Sequence, residues 1–152
     1  MRTSLFTIFL FSLLFLLSNC DKPAENESFL QMEWKIQSIV DENGQMVVPS
    51  DQTHHHRKDA YILRFCSDSC FFLATSVNEA GGNYKIVSEK RIMINKYQEW
   101  TKVYNVLEHQ RNFDERLISI FHGLMFYSYT RNKLILRGEQ NKEIVFVKQN
   151  KN

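Results

Sequence analysis

Along most of the chain, apolar and polar residues alternate with a period of two, the pattern of strands that bury one face. The candidate strands are Glu33 to Val40, Asn83 to Val87, Arg91 to Ile94, Thr101 to Tyr104, Met125 to Thr130, Lys133 to Arg137 and Glu143 to Lys148. Two more flank the turn Ser67-Asp68-Ser69 within Tyr61 to Thr75. Setting Cys66 opposite Cys70 across that turn fixes a register in which Phe65 faces Phe71 and Leu63 faces Leu73 on the core side. Arg64, Phe72 and both cysteines then lie on the other face. One segment breaks the period. Over Asn112 to Gly123, the residues Phe113, Leu117, Ile120 and Phe121, with Leu124 just beyond, form a single apolar stripe at helical spacing. Asn112 reads as the N-cap, Asp114 and Glu115 as acids in the positive first turn, and Gly123 as the stop. The last three strands form a meander. In the final one Ile144 and Phe146 alternate with Val145 and Val147, so both faces are apolar, which predicts a central strand or a closed sheet capped by the helix. The fold class that follows is α+β, mostly β: an antiparallel sheet or partly open β-barrel with one packed helix.

The beginning of the chain has a different pattern. Arg2 precedes an apolar run from Leu5 to Leu17, broken only by Thr7 and Ser12. At about 1.5 Å per residue the run covers roughly 20 Å, short of the ~30 Å hydrocarbon core, and fits a signal-peptide core better than a permanent span. Leu17-Ser18-Asn19-Cys20 follows directly and resembles the lipobox of bacterial lipoproteins, although Asn19 stands where Gly, Ala or Ser is usual. The resemblance implies a signal peptide over residues 1–19, diacylglycerol on the Cys20 thiol, cleavage before Cys20, and palmitate-type acylation of the new amino terminus. Two or three acyl chains would anchor the protein, where one binds only reversibly. Secretion with cleavage nearby and an uncleaved anchor are the alternatives. Asp21 is similar to an inner-membrane retention signal of some enteric bacteria, so a bacterial-envelope location is expected with the leaflet open. Residues 20–28 are polar, carry Pro23, lack a period and read as a flexible tether; a single β-rich domain is expected over 29–152.

Composition narrows the function classes. The chain has 152 residues, room for one ordinary domain, and 43% hydrophobic content, enough for a real core. Lys and Arg number 19 against 17 Asp and Glu, scattered rather than blocked, so no nucleic-acid footprint is present. Once Cys20 is set aside, Cys66 and Cys70 remain in a chain bound for an oxidising compartment; they form a disulfide, stay as free thiols, or bind metal. As a disulfide the pair would clip a turn, because the closed loop is too short for chain entropy to contribute more than about 2 kcal/mol. The run His54-His55-His56 reads as a solvated loop and also as a weak metal or pH-responsive site. His109 and His122 stand apart from it and from each other. No phosphate-cradling Gly loop, Gly-x-Ser-x-Gly or His-Glu-x-x-His motif occurs, so no enzyme, catalytic residue or cofactor is expected.

The order of elements, with Glu33-Trp34-Lys35-Ile36, Val77-Asn78, Gly82, Tyr84 and Thr101-Lys102-Val103-Tyr104-Asn105, then a helix and the hairpin at Lys133 to Leu136, resembles the META or HslJ-like domain of small bacterial envelope lipoproteins. Val77 and Asn105 occupy places where many members carry cysteines. The resemblance implies an antiparallel, partly open barrel with one helix, ties to envelope stress and no catalytic residue. The opening Trp strand is equally similar to lipocalin-like lipoprotein domains. Two functions follow: a non-catalytic module contacting an envelope protein partner at the membrane, or a binder of a small apolar ligand lined by Phe72, Tyr127 and Tyr129.

Overall fold

A computed structural model describes residues 28–50, 59–67, 69–99 and 107–150. A 3-10 turn (Ser28–Gln31) leads into β1 (Glu33–Val40), β2 (Met46–Val47), β3 (Ile62–Phe65), β4 (Cys70–Ala74), β5 (Glu79–Ser88), β6 (Arg91–Glu99), helix α1 (Glu108–Ile120), β7 (Gly123–Tyr129), β8 (Lys133–Arg137) and β9 (Glu143–Lys148). The sheet runs β2-β1-β3-β4-β5-β6-β7-β8-β9, and β9 also pairs with β1. With β2 set aside as a flap on the end of β1, the other strands close into an antiparallel up-and-down barrel. Closure pairs both edges of β9, one with β1 and the other with β8; Ile144 and Phe146 look into the barrel, and Val145 on the other face is 7% exposed.

A barrel of eight strands has an interior about wide enough for side chains to fill. Alternation supplies them: Trp34 and Ile36 from β1, Leu63 and Phe65 from β3, Phe71 and Leu73 from β4, and the matching residues of the later strands form one core. Trp34, Leu63, Leu73, Ile92, Met125, Leu134, Leu136 and Phe146 are 0% exposed, so no water-sized space adjoins them. Strict alternation would also place Ser38 inside. A bulge prevents this, because the register runs from Ile36↔Phe146 to Ser38↔Val145 and leaves Gln37 extra. Ile39, opposite Ile144, thereby turns into the core.

Both barrel ends are stopped with side chains. At the lower end, where β1 begins, Phe29 of the 3-10 turn is 0% exposed and its ring lies 5.7 Å from Phe65, 4.8 Å from Tyr127 and 5.0 Å from Tyr129. The Trp34 indole N–H donates to the Phe29 carbonyl at 2.7 Å, which ties the plug to the strand it precedes. At the upper end α1 lays Phe113, Leu117 and Ile120 over the opening, followed by Phe121, whose ring meets Phe71 edge-on at 5.1 Å.

The strands β1, β8 and β9 occur with the predicted bounds, β7 is shifted to Gly123–Tyr129, and two are longer: β5 begins at Glu79 and β6 runs to Glu99. The predicted strand at Thr101 to Tyr104 lies outside the described residues. The helix departs from expectation in two ways. It starts at Glu108, with Leu107 at the cap and no side-chain cap bond, so Asn112 is interior. The extra turn was hidden by Gln110, a polar residue at a stripe position that is only 2% exposed. Leu124 does not extend the stripe: Gly123, at φ +79°, reverses the chain into β7, and Leu124 faces outward opposite Met93. Phe29→Ala should cost about 3–5 kcal/mol by chemical denaturation, since it empties the centre of the lower plug. A loss under about 1 kcal/mol would show that the turn does not close the barrel.

Candidate functional site

Among the described residues, Thr75, Ser76, Gln110 and Asp114 are buried polar side chains on α1 or in the turn beneath it. Ser76, in the turn after β4, is 1% exposed, and Asp114, nearly two turns into α1 from its start, is 8% exposed. The Ser76 hydroxyl donates to Asp114 Oδ2 in a short hydrogen bond, and the Ser76 N–H donates to Oδ1 at 3.4 Å. The turn itself is set by Thr75, whose N–H and hydroxyl donate to the Asn78 carbonyl at 2.8 and 3.2 Å. Asp114 is therefore not the helix-start acid that its spacing suggests. It is the polar tie that seats the helix on the β4–β5 turn, whereas Glu115 is exposed.

Tyr61 completes the cluster. Its backbone is left-handed at φ +62°, a conformation that costs a non-glycine residue about 1–3 kcal/mol. Its carbonyl accepts from Ile36 N–H at 2.8 Å, and its ring meets Phe113 edge-on at 5.1 Å. The hydroxyl points toward Asp114 and Ser76 but, among the described residues, meets no partner at hydrogen-bond geometry. Burial first, and then the Asp114 charge, push its ionisation well above the ordinary phenol range. Asp114 is raised as well: burial outweighs the hydrogen bonds from Ser76 that favour its charged form. A raised carboxylate facing a neutral phenol is a device for holding protons in place. With both groups sealed beneath α1, their evident task is to seat the helix.

The other predicted residues divide. Cys20, His54, His55 and His56 lie outside the described residues. Cys66 and Cys70 stand opposed in the predicted register, with Cys66 N–H donating to the Cys70 carbonyl at 2.8 Å, and both are half-buried. Among the described residues no three His, Cys, Asp or Glu side chains gather as a metal site. The proposed aromatic lining does not form. Phe72 faces outward beneath the Arg64 guanidinium, 5.6 Å from its ring centroid, while Tyr127 and Tyr129 are packed against Phe29. Two clefts lie outside the barrel: one of about 200 Å³ between the end of α1 and the β8–β9 turn, beside His122 and Glu139, and an open one of about 470 Å³ at the lower end beside Gln31 and Lys148.

No family model and no curated protein sequence matches the chain. Among solved structures, it resembles a protein from Burkholderia xenovorans determined by NMR, with a TM-score of 0.63 and 8% identity over 81% of this chain and 86% of that one. It also resembles a DUF4847 family protein from Bacteroides vulgatus, a crystal structure, with a TM-score of 0.51 and 16% identity over 83% of this chain and 98% of that one. At these identities the likeness is one of fold, a β-barrel.

The raised Asp114 fixes the sign of a pH effect. Free in the unfolded chain, a carboxyl titrates near ~3.9; in the fold it keeps its proton to higher pH. Its contribution to stability is full below the ordinary range and is lost as pH rises through the raised value. Urea denaturation at pH 4 and pH 7 should therefore show Asp114→Asn gaining on the parent protein at pH 7. Asp114→Ala, which takes the acceptor from Ser76, should lose about 1–3 kcal/mol at both. Parallel pH profiles for the parent and the Asn variant would remove Asp114 from this role.

Proposed function

We propose that this chain is a lipid-anchored protein of a bacterial envelope whose barrel is a non-catalytic module, acting through its outer surface on a protein or membrane partner. The filled interior carries this reading. Phe29 stops one end, α1 stops the other, and core residues between them adjoin no water-sized space. A closed barrel is also the architecture of lipocalin-like binders, but an apolar ligand could enter this one only after Phe29 or the helix left its seat. The buried carboxylate, phenol and hydroxyl serve the helix seat, so the ionisable chemistry that an enzyme would expose is spent on structure. The anchor rests on Leu17-Ser18-Asn19-Cys20 after the apolar run, and the chain enters the barrel from that side through the Phe29 plug. The META-like word pattern is compatible with such a module and extends the proposal to envelope stress.

Intact mass of the protein purified from membranes should show cleavage before Cys20 and two or three acyl chains, and Cys20→Ser should abolish both. An unmodified product from the parent sequence would end the anchor. Organic extraction of the same material should release no stoichiometric small molecule beyond phospholipid; a retained apolar compound would replace the module with a carrier.

A further inference from the structure

The outer face of the barrel is uneven in a way that its stability does not require. At the lower end, the β5–β6 hairpin and the adjoining part of β7 expose apolar groups: Val87 and Phe126 are each 50% exposed, and Ile86, on the inner face opposite Ile92, is 38% exposed at the barrel's mouth. Val87 is the extra residue of a second bulge, where the register passes from Ile86↔Ile92 to Ser88↔Arg91. Arg91 pairs across to Phe126 and holds its guanidinium carbon 5.0 Å from that ring's centroid. These residues edge this end of the barrel, and we refer to them as the rim. Around it stand Lys85 and Lys90 from the hairpin, and Arg131 and Lys133 from the β7–β8 turn, all exposed and, among the described residues, without acidic partners. The helix end exposes apolar groups as well, Met46 at 67% and Val48 at 61%, and there Arg116 pairs with Asp41 at 3.2 Å and Lys142 with Glu42 at 3.1 Å. Arg137, directly across from Phe126, pairs with Glu143 at 2.7 Å, and at the lower end Arg64 pairs with Glu33 at 3.0 Å.

We propose that the rim of Ile86, Val87, Arg91 and Phe126 is a membrane-seating surface, which rests the lower end of the barrel on the anionic headgroups of the bilayer that holds the Cys20 lipid. The proposal rests on the lipid-anchor reading and adds an orientation to it. Geometry favours the occupant. The chain from Cys20 to Ser28 spans at most about 28 Å at full extension, and it arrives at the rim's own end of the barrel. A strand the length of β1 already covers about 26 Å, so the helix end could reach the same surface only with the tether stretched along the wall. Charge agrees, because basic side chains beside an anionic leaflet each add roughly fivefold to binding. Exposed apolar groups with an aromatic ring among them suit the interfacial layer, where small wedges gain by partial insertion.

The test uses the mature lipoprotein, purified in detergent and reconstituted into vesicles of phosphatidylcholine with phosphatidylglycerol. Val87→Trp and Phe126→Trp place probes on the rim, and Glu139→Trp places one at the helix end; each is read as a difference from the parent protein. The rim probes should shift to shorter wavelength and lose intensity with brominated lipid, the Glu139→Trp probe should do neither, and Lys90→Gln should weaken rim quenching. Equal behaviour at all three positions, or a doubled mass in detergent with the rim probes shielded from brominated lipid, overturns the proposal. Acylation is read separately by intact mass. An acylated protein with an unquenched rim sinks the orientation and leaves the anchor standing. A protein without acyl groups sinks the anchor, and its quenching by the same vesicles still decides for or against the rim.

Discussion

The pairing of β1 with β9 is the constraint from which the rest of the structure follows. It joins the first and last strands over Trp34↔Lys148 to Val40↔Glu143, so the sheet has no free edge apart from the short β2 flap. Once the sheet is closed, the interior has a fixed volume that must be filled from within the chain. The bulge at Gln37 belongs to the same requirement, since it rotates the last part of β1 so that Ile39 meets Ile144 inside. A seam between distant parts of the sequence also makes folding depend on the ends being brought together late, after the local hairpins have formed.

Closure leaves two open mouths, and the chain treats them differently. The lower one is stopped by a local device: Phe29 is five residues from Trp34, and the bond between them organises the turn before any distant strand is needed. The upper one is stopped by α1, which must be held across a long sequence separation, and this explains why a buried polar tie is used there. Asp114 and Ser76 are 38 residues apart, and their bond gives the helix a register that apolar packing alone leaves loose. The strained Tyr61 fits the same account, because its left-handed backbone turns the ring under Phe113 at the point where β3 must begin.

Much of this architecture was legible in the alternation of side chains. The β3–β4 register followed from opposing Cys66 and Cys70, and the observed pairs Leu63↔Leu73, Arg64↔Phe72 and Phe65↔Phe71 agree with it. Closure was foreshadowed by the two apolar faces of Glu143–Lys148. The helix boundaries were misread for a definable reason: apolar periodicity cannot see a buried Gln110, and it counts Leu124 as though Gly123 did not turn the chain. The cluster of Tyr61, Ser76 and Asp114 was not legible at all, because its members are brought together only by the topology and each has an ordinary local explanation. Asp114 next to Glu115 looks like helix-start chemistry until the helix is found to begin at Glu108. The register that opposes the cysteines already puts Phe72 on the outer face with Arg64, away from any interior pocket.

What the filled barrel implies about mechanism is a matter of exclusion by volume. A closed barrel of this size holds either its own side chains or a guest, and here the aromatic rings of Phe29, Phe65, Phe71, Tyr127 and Phe121 occupy the places where a guest would sit. If the barrel acts through its outer surface, as proposed, the lower end stands out by the basic side chains Lys85, Lys90, Arg131 and Lys133 around exposed Val87 and Phe126. A barrel packed for stability alone has no use for exposing Val87 on a bulge or Phe126 beside it. Polar residues there would satisfy the same backbone pairing at lower risk of aggregation, so the cost of leaving them apolar calls for a compensating contact outside the molecule.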